Sequence, residues 1–158
     1  MRELILLRHA HAEPALGGQP DLDRPLSPDG HAGAEAAARW LAGRRLVPDC
    51  ALCSPARRTR ETLEVALSVL GYVDQRLEPD VYEATAGTLA ALVDGYREVD
   101  RLLLVGHNPG LERLVALLSS GQSGHYRGMP PGAVAVLEFA AEGPVEPGAA
   151  TLSAFWWP

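Results

Sequence analysis

The sequence has no apolar run long enough to cross a membrane. Near its start, the run Leu4 to Leu7 is also too short for the core of a secretory signal peptide. Membrane insertion and secretion are therefore not expected, and the sequence predicts a cytoplasmic protein.

Positive charge is scarce as well. The chain has 14 Lys and Arg residues against 20 Asp and Glu, which gives a formal net charge of -6. Such an acidic chain is a poor match for a nucleic-acid backbone, so nucleic acid is not expected as the main partner. All of the cationic residues are arginine and none is lysine. This bias is typical of GC-rich coding and carries no functional meaning.

Cysteine is limited to Cys50 and Cys53, spaced as C-x-x-C. The spacing is compatible with a redox pair or with half of a zinc site. Because no second C-x-x-C exists to complete a zinc site, we expect two reduced, partly buried thiols. The sequence also lacks a P-loop or a similar Mg²⁺-binding motif, so neither a metal nor an organic cofactor is expected.

The length of 158 residues and the hydrophobic content of 47% fit one domain over residues 1–158. Apolar residues recur with the period of an amphipathic helix in four segments, at residues 34–41, 63–70, 89–96 and 111–118. Short apolar runs that are typical of strands lie at 3–7, 49–53, 101–105, 133–139 and 151–156. Strands that alternate with helices predict a mostly parallel sheet covered on both faces, a three-layer α/β/α sandwich.

Serine, proline and glycine mark several boundaries. Ser27-Pro28 and Ser54-Pro55 each place a capping hydroxyl before a proline at the first helical position. Gly71 is expected to end the second helix. The acidic segment 13–23 joins the first strand to its helix, and it is interpreted as a connector with a lid as the alternative.

Candidate functional residues follow the predicted strands at their carboxyl ends, where open α/β sheets bind ligands. Arg8 and His9 follow the first strand, Arg57 and Arg58 lie shortly after the second, and His107 follows the third parallel strand. A neutral imidazole is a competent nucleophile towards phosphorus, and guanidinium groups hold phosphate oxygens by paired hydrogen bonds. The pattern therefore predicts a phosphoryl-transfer site, with backbone N–H groups added by helices that begin after the second and third strands.

Two other interpretations of these residues stay open. His11 lies two residues after His9 and would share its face in an extended strand, which allows an H-x-H metal pair. Arg8 and Arg58 alone would allow a non-catalytic module that recognises phosphorylated partners. The presence of both His9 and His107 favours the enzyme.

Four segments stand in the order of a known family over nearly the whole chain. They are ELILLRHAHAE (Glu3 to Glu13), DRPLSPDG (Asp23 to Gly30), CSPARRTRETL (Cys53 to Leu63) and LLLVGHNPGL (Leu102 to Leu111). Together they resemble the histidine phosphatase superfamily and, within it, the SixA-like phosphohistidine phosphatase branch. The resemblance implies a phosphoglycerate-mutase-like fold and hydrolysis of phosphoryl groups without a cofactor.

The resemblance also implies a role for each matching residue. His9 is the nucleophile that becomes phosphorylated, Arg8 and Arg58 contact the phosphoryl oxygens, and His107 is the second histidine of the pocket. Arg58, and not its neighbour Arg57, falls at the fifth position of the family's S-P-x-x-R pattern.

Two further residues are candidates on the same ground. Glu83 lies where the wider superfamily often has a carboxylate proton donor, which a phosphate ester needs more than a protonated phosphohistidine does. Arg24, in the R-P-L motif, is expected to line the mouth of the pocket. One departure is Ala10, where the superfamily usually has glycine and the SixA-like branch commonly accepts alanine.

The expected substrate follows from the absence of a large insertion that could roof the site. An open pocket admits a protein, and the resemblance implies a phosphorylated histidine on a phosphotransfer or phosphocarrier protein. A phosphatase for small phosphate esters is the alternative, and it would need extra polar contacts around the pocket and a working acid at Glu83.

Overall fold

The computed structural model describes residues 1–140 and 142–158. Its strands are β1 (Glu3–Arg8), β2 (Cys50–Cys53), β3 (Asp74–Leu77), β4 (Arg101–Gly106), β5 (Val134–Phe139) and β6 (Ala150–Trp156). Its α-helices are α1 (Pro28–Gly43), α2 (Arg57–Leu70), α3 (Ala86–Asp94) and α4 (Gly110–Ser120). Short 3₁₀ turns lie at Asp21–Asp23 and Pro79–Val81.

The strands form one mixed sheet in the order β3-β2-β4-β1-β5-β6. Strands β3, β2, β4 and β1 pair in parallel, whereas β5 runs antiparallel to both β1 and β6. The sheet is therefore mostly parallel, as the sequence predicts. The neighbours β1 and β4 lie in its interior, so residues that follow them emerge in the middle of one sheet edge.

Helices cover both faces of the sheet, which confirms the predicted three-layer sandwich. Alternate residues of each strand point to opposite faces. One face, which includes Ile5, Leu7 and Val105, packs under α1 and α2. The other face, which includes Leu4 and Leu104, packs under α3 and α4.

This arrangement creates a switch point between β1 and β4. The chain leaves β1 towards α1 on one face and leaves the adjacent strand β4 towards α4 on the other. The two connections diverge and open a crevice beyond the carboxyl ends of β1 and β4, where ligands bind in open α/β sheets.

The two cysteines lie on opposite faces of the sheet. Cys50 packs into the core beside α3 and α4, and Cys53 packs into the core beside α1 and α2. Both thiols are free and buried, as expected, and burial raises the pKa of Cys53 to about 12. A redox pair or a shared zinc ion is therefore not compatible with this strand.

Two boundary predictions are confirmed, and a third is wrong. Ser27 caps α1, because its Oγ accepts a hydrogen bond from the backbone N–H of Gly30 at 3.0 Å. Gly71 ends α2 with a left-handed φ of 89°. Helix α2, however, begins at Arg57 and not at Pro55, and Ser54 is not its cap. The hydroxyl of Ser54 is buried and used elsewhere.

Strand β3 is an element that the sequence pattern does not predict. Its four residues, from Asp74 to Leu77, are all exposed. They occupy the edge of the sheet beside β2 and lack the apolar residues that mark a strand. Within the described ranges, none of the helices combines the length and apolar character needed to cross a membrane.

Candidate active site

The crevice beyond β1 and β4 is a cleft of about 720 Å³. The structure brings all of the predicted site residues to its walls: Arg8, His9, Arg24, Arg58, Glu83 and His107. These residues come from five separate segments of the chain. The sheet edge and the loops above it thus gather one site from distant sequence positions.

His9 lies just beyond β1 with one ring nitrogen engaged. Its Nδ1 is 2.8 Å from the carbonyl oxygen of Ala10, which can only accept, so Nδ1 carries the proton. Burial lowers the pKa of His9 to about 4, and the positive charges of Arg58, Arg8 and Arg24 act in the same direction. At neutral pH the ring is therefore uncharged, and Nε2 holds a free lone pair.

His107 follows β4 and faces His9 across the cleft, with the ring centroids 5.3 Å apart. Burial lowers the pKa of His107 to about 3, and the neighbouring His9 and Arg58 reinforce the shift. Nη2 of Arg58, which can only donate, lies 3.4 Å from Nδ1 of His107. The proton of the neutral ring is therefore assigned to Nε2.

Ser54 is a site residue that the sequence interpretation misses, because the serine before a proline was assigned as a helix cap. Its side chain is fully buried, and its Oγ lies 2.7 Å from Nε2 of His107. The hydroxyl thus accepts the His107 proton and fixes the plane of that ring. Ser54 supports His107 from behind and does not line the cleft.

Terminal Nη nitrogens of Arg8 and Arg58 form hydrogen bonds, but their Nε atoms do not. Nη1 of Arg8 donates to the carbonyl of Met129 at 2.8 Å, and both terminal nitrogens of Arg58 donate to Asp21. The Nε atoms of Arg8 and Arg58 are buried without a hydrogen-bond partner in the described chain. Unpaired buried donors are costly, and the positive charge of both guanidinium groups at the cleft wall favours an anion there.

Arg24 lines the cleft, as the sequence predicts, and also anchors its own loop. Its Nε donates to the carbonyl of Glu13 at 2.9 Å, and its Nη1 donates to Asp21 at 3.1 Å. Arg57, the neighbour that could be confused with Arg58, lies away from the cleft. It forms an exposed i,i+4 ion pair with Glu61 at 3.6 Å.

Asp21 and Tyr82 are cleft residues that no sequence motif indicates. The Tyr82 hydroxyl donates to the Asp21 carboxylate at 2.6 Å, and the Tyr82 ring meets the His107 ring edge-on with centroids 5.5 Å apart. Asp21 belongs to the 13–23 segment. That segment is therefore more than a connector, because Asp21 lines the cleft and bonds to two of its arginines.

Glu83 also lines the cleft, in the loop before α3. Its side chain is exposed and its backbone is left-handed, with φ at 54°. A non-glycine residue in this region carries strain, which is common at functional positions. The loop packs closely on α4, since a Cβ added to Gly110 would lie 2.7 Å from the carbonyl oxygen of Ala84.

Two helices begin at the wall of the cleft. The first residues of α3 and α4, Ala86 and Gly110, both line it. Helix N-termini present unpaired N–H groups and a partial positive charge, which favour anions. The helix after β4 thus begins at the cleft, whereas α2 begins too late to bring its first turn to the cleft except through Arg58.

His11 does not share a site with His9. Its Nδ1 lies 2.7 Å from the hydroxyl of Ser27, at the start of α1, and His11 is not part of the cleft wall. Over residues 1–140 and 142–158, no cluster of three or more His, Cys, Asp or Glu side chains is arranged to hold a metal ion. The H-x-H pair is therefore not assembled.

A second groove of about 450 Å³ adjoins the cleft and shares Arg8 and Asn108 with it. Its far side is formed by Met129, Phe155 and Trp157, and the exposed ring of Trp157 lies at its rim. The open cleft therefore continues into a partly apolar surface.

Comparisons with known proteins agree with this geometry. The family model described as the histidine phosphatase superfamily (branch 1) matches residues 4–98. An uncharacterised chloroplast protein of Arabidopsis thaliana is 35% identical over 129 residues, which cover 75% of this chain and 59% of that protein. The chain thus spans less than two thirds of that relative's length. An uncharacterised protein of Mycobacterium tuberculosis is 34% identical over 160 residues, with 94% of this chain and 98% of that protein covered.

Solved structures extend the likeness over the whole fold. A candidate SixA phosphohistidine phosphatase from Agrobacterium tumefaciens superimposes with a TM-score of 0.86 at 32% identity, covering 99% of this chain and 98% of that one. A mycobacterial glucosyl-3-phosphoglycerate phosphatase matches with a TM-score of 0.75 at 19% identity, with 97% of both chains covered, and shares the fold alone. The chain therefore belongs to the histidine phosphatase superfamily (branch 1), and within it the chain is SixA-like.

Proposed function

We propose that this protein is a phosphatase, with residues 1–158 as one catalytic domain, that hydrolyses phosphohistidine through a covalent phosphoryl intermediate on Nε2 of His9. One observation carries the proposal above the others. His9 is neutral, and its Nδ1 proton is held by the Ala10 carbonyl, so the lone pair of Nε2 is available within a cleft lined by arginines. The proposed chemistry uses only side chains and water.

The reaction has two displacements at phosphorus. In the first, the lone pair of Nε2 of His9 forms a bond to phosphorus while the bond to the leaving nitrogen or oxygen breaks, and that atom keeps the electron pair. In the second, a water oxygen bonds to phosphorus, the N–P bond breaks, and its electron pair returns to Nε2. Phosphate then leaves, and the neutral histidine is restored.

Arg8 and Arg58 stabilise the negative charge that the phosphoryl oxygens carry in both displacements. Both guanidinium groups line the cleft, and their terminal N–H groups would donate to the phosphoryl oxygens. His107 is neutral in the free cleft, but a doubly negative phosphoryl group beside it favours its protonated form. In that form, His107 donates a hydrogen bond to a phosphoryl oxygen.

Glu83 acts as the general acid and then as the general base. It gives a proton to the leaving group in the first displacement and takes one from water in the second, so that the protons balance. Its exposed position on the cleft wall supports exchange with solvent. The first of these roles matters little when the leaving group is the neutral imidazole of a protonated phosphohistidine.

A phosphorylated histidine on a phosphotransfer or phosphocarrier protein is the proposed substrate, met in the cytoplasm. The open cleft and the partly apolar groove beside it, which includes the rings of Phe155 and Trp157, support this choice. A buried histidine nucleophile must reach a phosphoryl group on another protein's surface, and a wide approach with an apolar flank suits a protein partner. The likeness to the candidate SixA enzyme supports the same choice.

The test compares three substrates: a protein that carries phosphohistidine, p-nitrophenyl phosphate and a panel of sugar phosphates. Each is offered to wild type, to His9→Asn and to the matched control His31→Asn, whose histidine is exposed on α1. We expect fast loss of phosphohistidine with wild type and the control, slow turnover of the esters, and no turnover with His9→Asn. Rapid quenching and mass spectrometry should find the phosphoryl group on His9.

Each other outcome has a definite meaning. Faster turnover of sugar phosphates would keep the nucleophile and overturn the protein substrate. Phosphate binding without any turnover would favour the non-catalytic module. Activity that survives in His9→Asn would overturn the proposed mechanism.

A further inference from the structure

Asp21 lies at the centre of a network that joins three parts of the chain. Its Oδ2 accepts hydrogen bonds from Nη2 of Arg58 at 2.9 Å and from the Tyr82 hydroxyl at 2.6 Å. Its Oδ1 accepts from Nη1 of Arg24 at 3.1 Å. In addition, Nη1 of Arg58 donates to the backbone carbonyl of Asp21 at 2.8 Å. One residue thus holds both terminal nitrogens of Arg58.

The electrostatic surroundings make this contact more than a surface ion pair. The Arg58 side chain is 7% exposed, and the cleft that it lines contains three further arginines, Arg8, Arg24 and Arg113. Like charges repel, so the buried guanidinium needs firm partners to keep one orientation. Asp21 supplies them, and it also binds Arg24.

Asp21 itself is held as a carboxylate. The hydrogen bond from Tyr82 contributes most to a pKa well below the ordinary value, and hydrogen bonds from Arg24 and Arg58 add to the effect. A group that stays ionised is unsuited to proton transfer near neutral pH. Its hydrogen bonds point to a role in holding other side chains.

The network leaves a defined part of Arg58 free. Each terminal nitrogen carries two hydrogens, and Asp21 engages one on each. Nη2 also reaches to 3.4 Å from Nδ1 of His107, which lines the cleft. The guanidinium is therefore fixed in place while terminal N–H groups beside the cleft are kept for a ligand.

We propose that Asp21 is a positioning residue, which holds the guanidinium of Arg58 in the orientation that binds the phosphoryl group. The segment 13–23 thereby becomes a strap across the cleft, fastened by Asp21 to Arg58 on α2 and to Tyr82 before α3. The role of Arg58 during turnover rests on the proposed function, but the binding of an oxyanion by Arg58 can be tested without it.

The first test measures binding of inorganic phosphate by calorimetry. Simple electrostatics predicts that Asp21→Ala binds phosphate more tightly, because a negative charge beside the anion is removed. The positioning role predicts the reverse. We expect roughly 10-fold weaker binding, the size of one charge-assisted hydrogen bond lost at Arg58. Tighter or unchanged binding would overturn the proposal.

Asp23→Ala is the matched control. Asp23 lies in the same 3₁₀ turn, is exposed, and is neither bonded to a cleft arginine nor part of the cleft wall. It removes the same charge from the same strap, and we expect phosphate binding close to that of wild type. Equal weakening in both variants would show that strap stability, and not Asp21, is responsible. Asp21→Asn keeps an acceptor oxygen, should recover part of the affinity, and replaces Asp21→Ala if that variant melts early.

The second test is a double-mutant cycle with Arg58→Leu, read as the rate of phosphoryl transfer to His9 in a single turnover. If Asp21 acts through Arg58, Asp21→Ala slows transfer roughly 10-fold in wild type and hardly at all in Arg58→Leu. If the two substitutions slowed transfer independently, so that the loss in the double variant equalled the product of the single losses, the proposal would be overturned. An inactive wild type would instead refute the proposed function and leave the phosphate-binding result to decide the role of Asp21.

Discussion

Buried charged groups are paired with each other at the amino ends of the parallel strands, but keep unpaired donors at the carboxyl ends. At the amino ends, Nε of Arg101 donates to the carboxylate of Glu3 at 3.0 Å, and the backbone N–H of Arg101 donates to Asp49 at 2.9 Å. Both charged groups of the pair are largely buried, and Nε and Nη2 of Arg101 both donate to Oε1 of Glu3. At the carboxyl ends, Arg8 and Arg58 keep buried donors without partners in the described residues.

The contrast separates two uses of buried charge. The paired groups at the amino end fix the register of β1 and β4, and their hydrogen bonds do not need a ligand. At the carboxyl end, one carboxylate, Asp21, serves two arginines, and burial keeps His9 and His107 uncharged. Such a site is poised for a doubly negative group that its own chain does not supply.

The largest expected effect comes from a substitution at the carboxyl ends of the strands. Arg58→Leu removes a donor that stabilises phosphoryl charge, so kcat/KM should fall by about 10²-fold or more. Unfolding should change little, because the lost hydrogen bonds to Asp21 are offset by relief of an unpaired buried donor and of repulsion between arginines. Steady-state kinetics and urea denaturation check the two halves. If the free energy of unfolding fell by as much as the loss in kcat/KM expressed as free energy, Arg58 would be a structural residue like the pair at the amino ends, and the contrast would be wrong.

The next effect breaks the amino end. Arg101→Leu leaves the carboxylate of Glu3 buried without its main partner, so the free energy of unfolding should fall by about 3 kcal/mol. The kinetics of the folded enzyme should stay the same, since Arg101 lies at the far edge of the sheet. Replacing both partners, with Glu3→Leu and Arg101→Leu together, should recover most of the stability. Failure of this recovery would mean that Arg101 contributes through packing and not through charge.

A third expectation sharpens the contrast through pH. His9 has a pKa of about 4, below the ordinary value, because it is buried beside arginines. Protonation of Nε2 removes the nucleophile, so kcat/KM should be flat from pH 8 to about 5 and fall only at lower pH. An ordinary histidine would lose half its activity near pH 6.5. Because kcat/KM reports the free enzyme, its pH profile, corrected for ionisation of the substrate, measures this limb.

Arg24→Gln provides the control for the pH profile. The charge of Arg24 contributes to the lowered pKa of His9. Without it, the acid limb should move towards neutral pH, in the direction of an ordinary histidine. A limb that stays in place would assign the shift to burial and to the charges of Arg58 and Arg8.

The sequence predicts the fold and four cleft residues, Arg8, His9, Arg58 and His107, because these depend on local patterns, whereas Arg24 and Glu83 are implied only by the family resemblance. Apolar periodicity places β1 and β4, and residues that directly follow a parallel strand must meet at one sheet edge. Strand β3 escapes this reasoning, since the exposed run Asp74 to Leu77 pairs through its backbone and has no apolar pattern.

The residues that the sequence does not reveal act through long-range contacts. Asp21 contacts Arg58 across 37 positions and Tyr82 across 61, and no local pattern encodes such pairs. Ser54 shows a different failure. A serine before proline is typical of a helix cap, but here burial directs its hydroxyl to His107. The competing tertiary contact decides the outcome.

The smallest effect on phosphohistidine comes from Glu83→Gln, because the need for an acid depends on the leaving group. With an alkyl phosphate, Glu83→Gln should slow phosphoryl transfer to His9 by about 10²-fold, because an alkoxide must gain a proton as it leaves. With phosphohistidine, the same step should slow by no more than about 3-fold, since a neutral imidazole departs unaided. Single-turnover assays of both substrates isolate this first displacement and measure the ratio of the two losses. Equal losses in this step would mean that Glu83 does not act as the acid, and would leave it only the role of base in the second displacement.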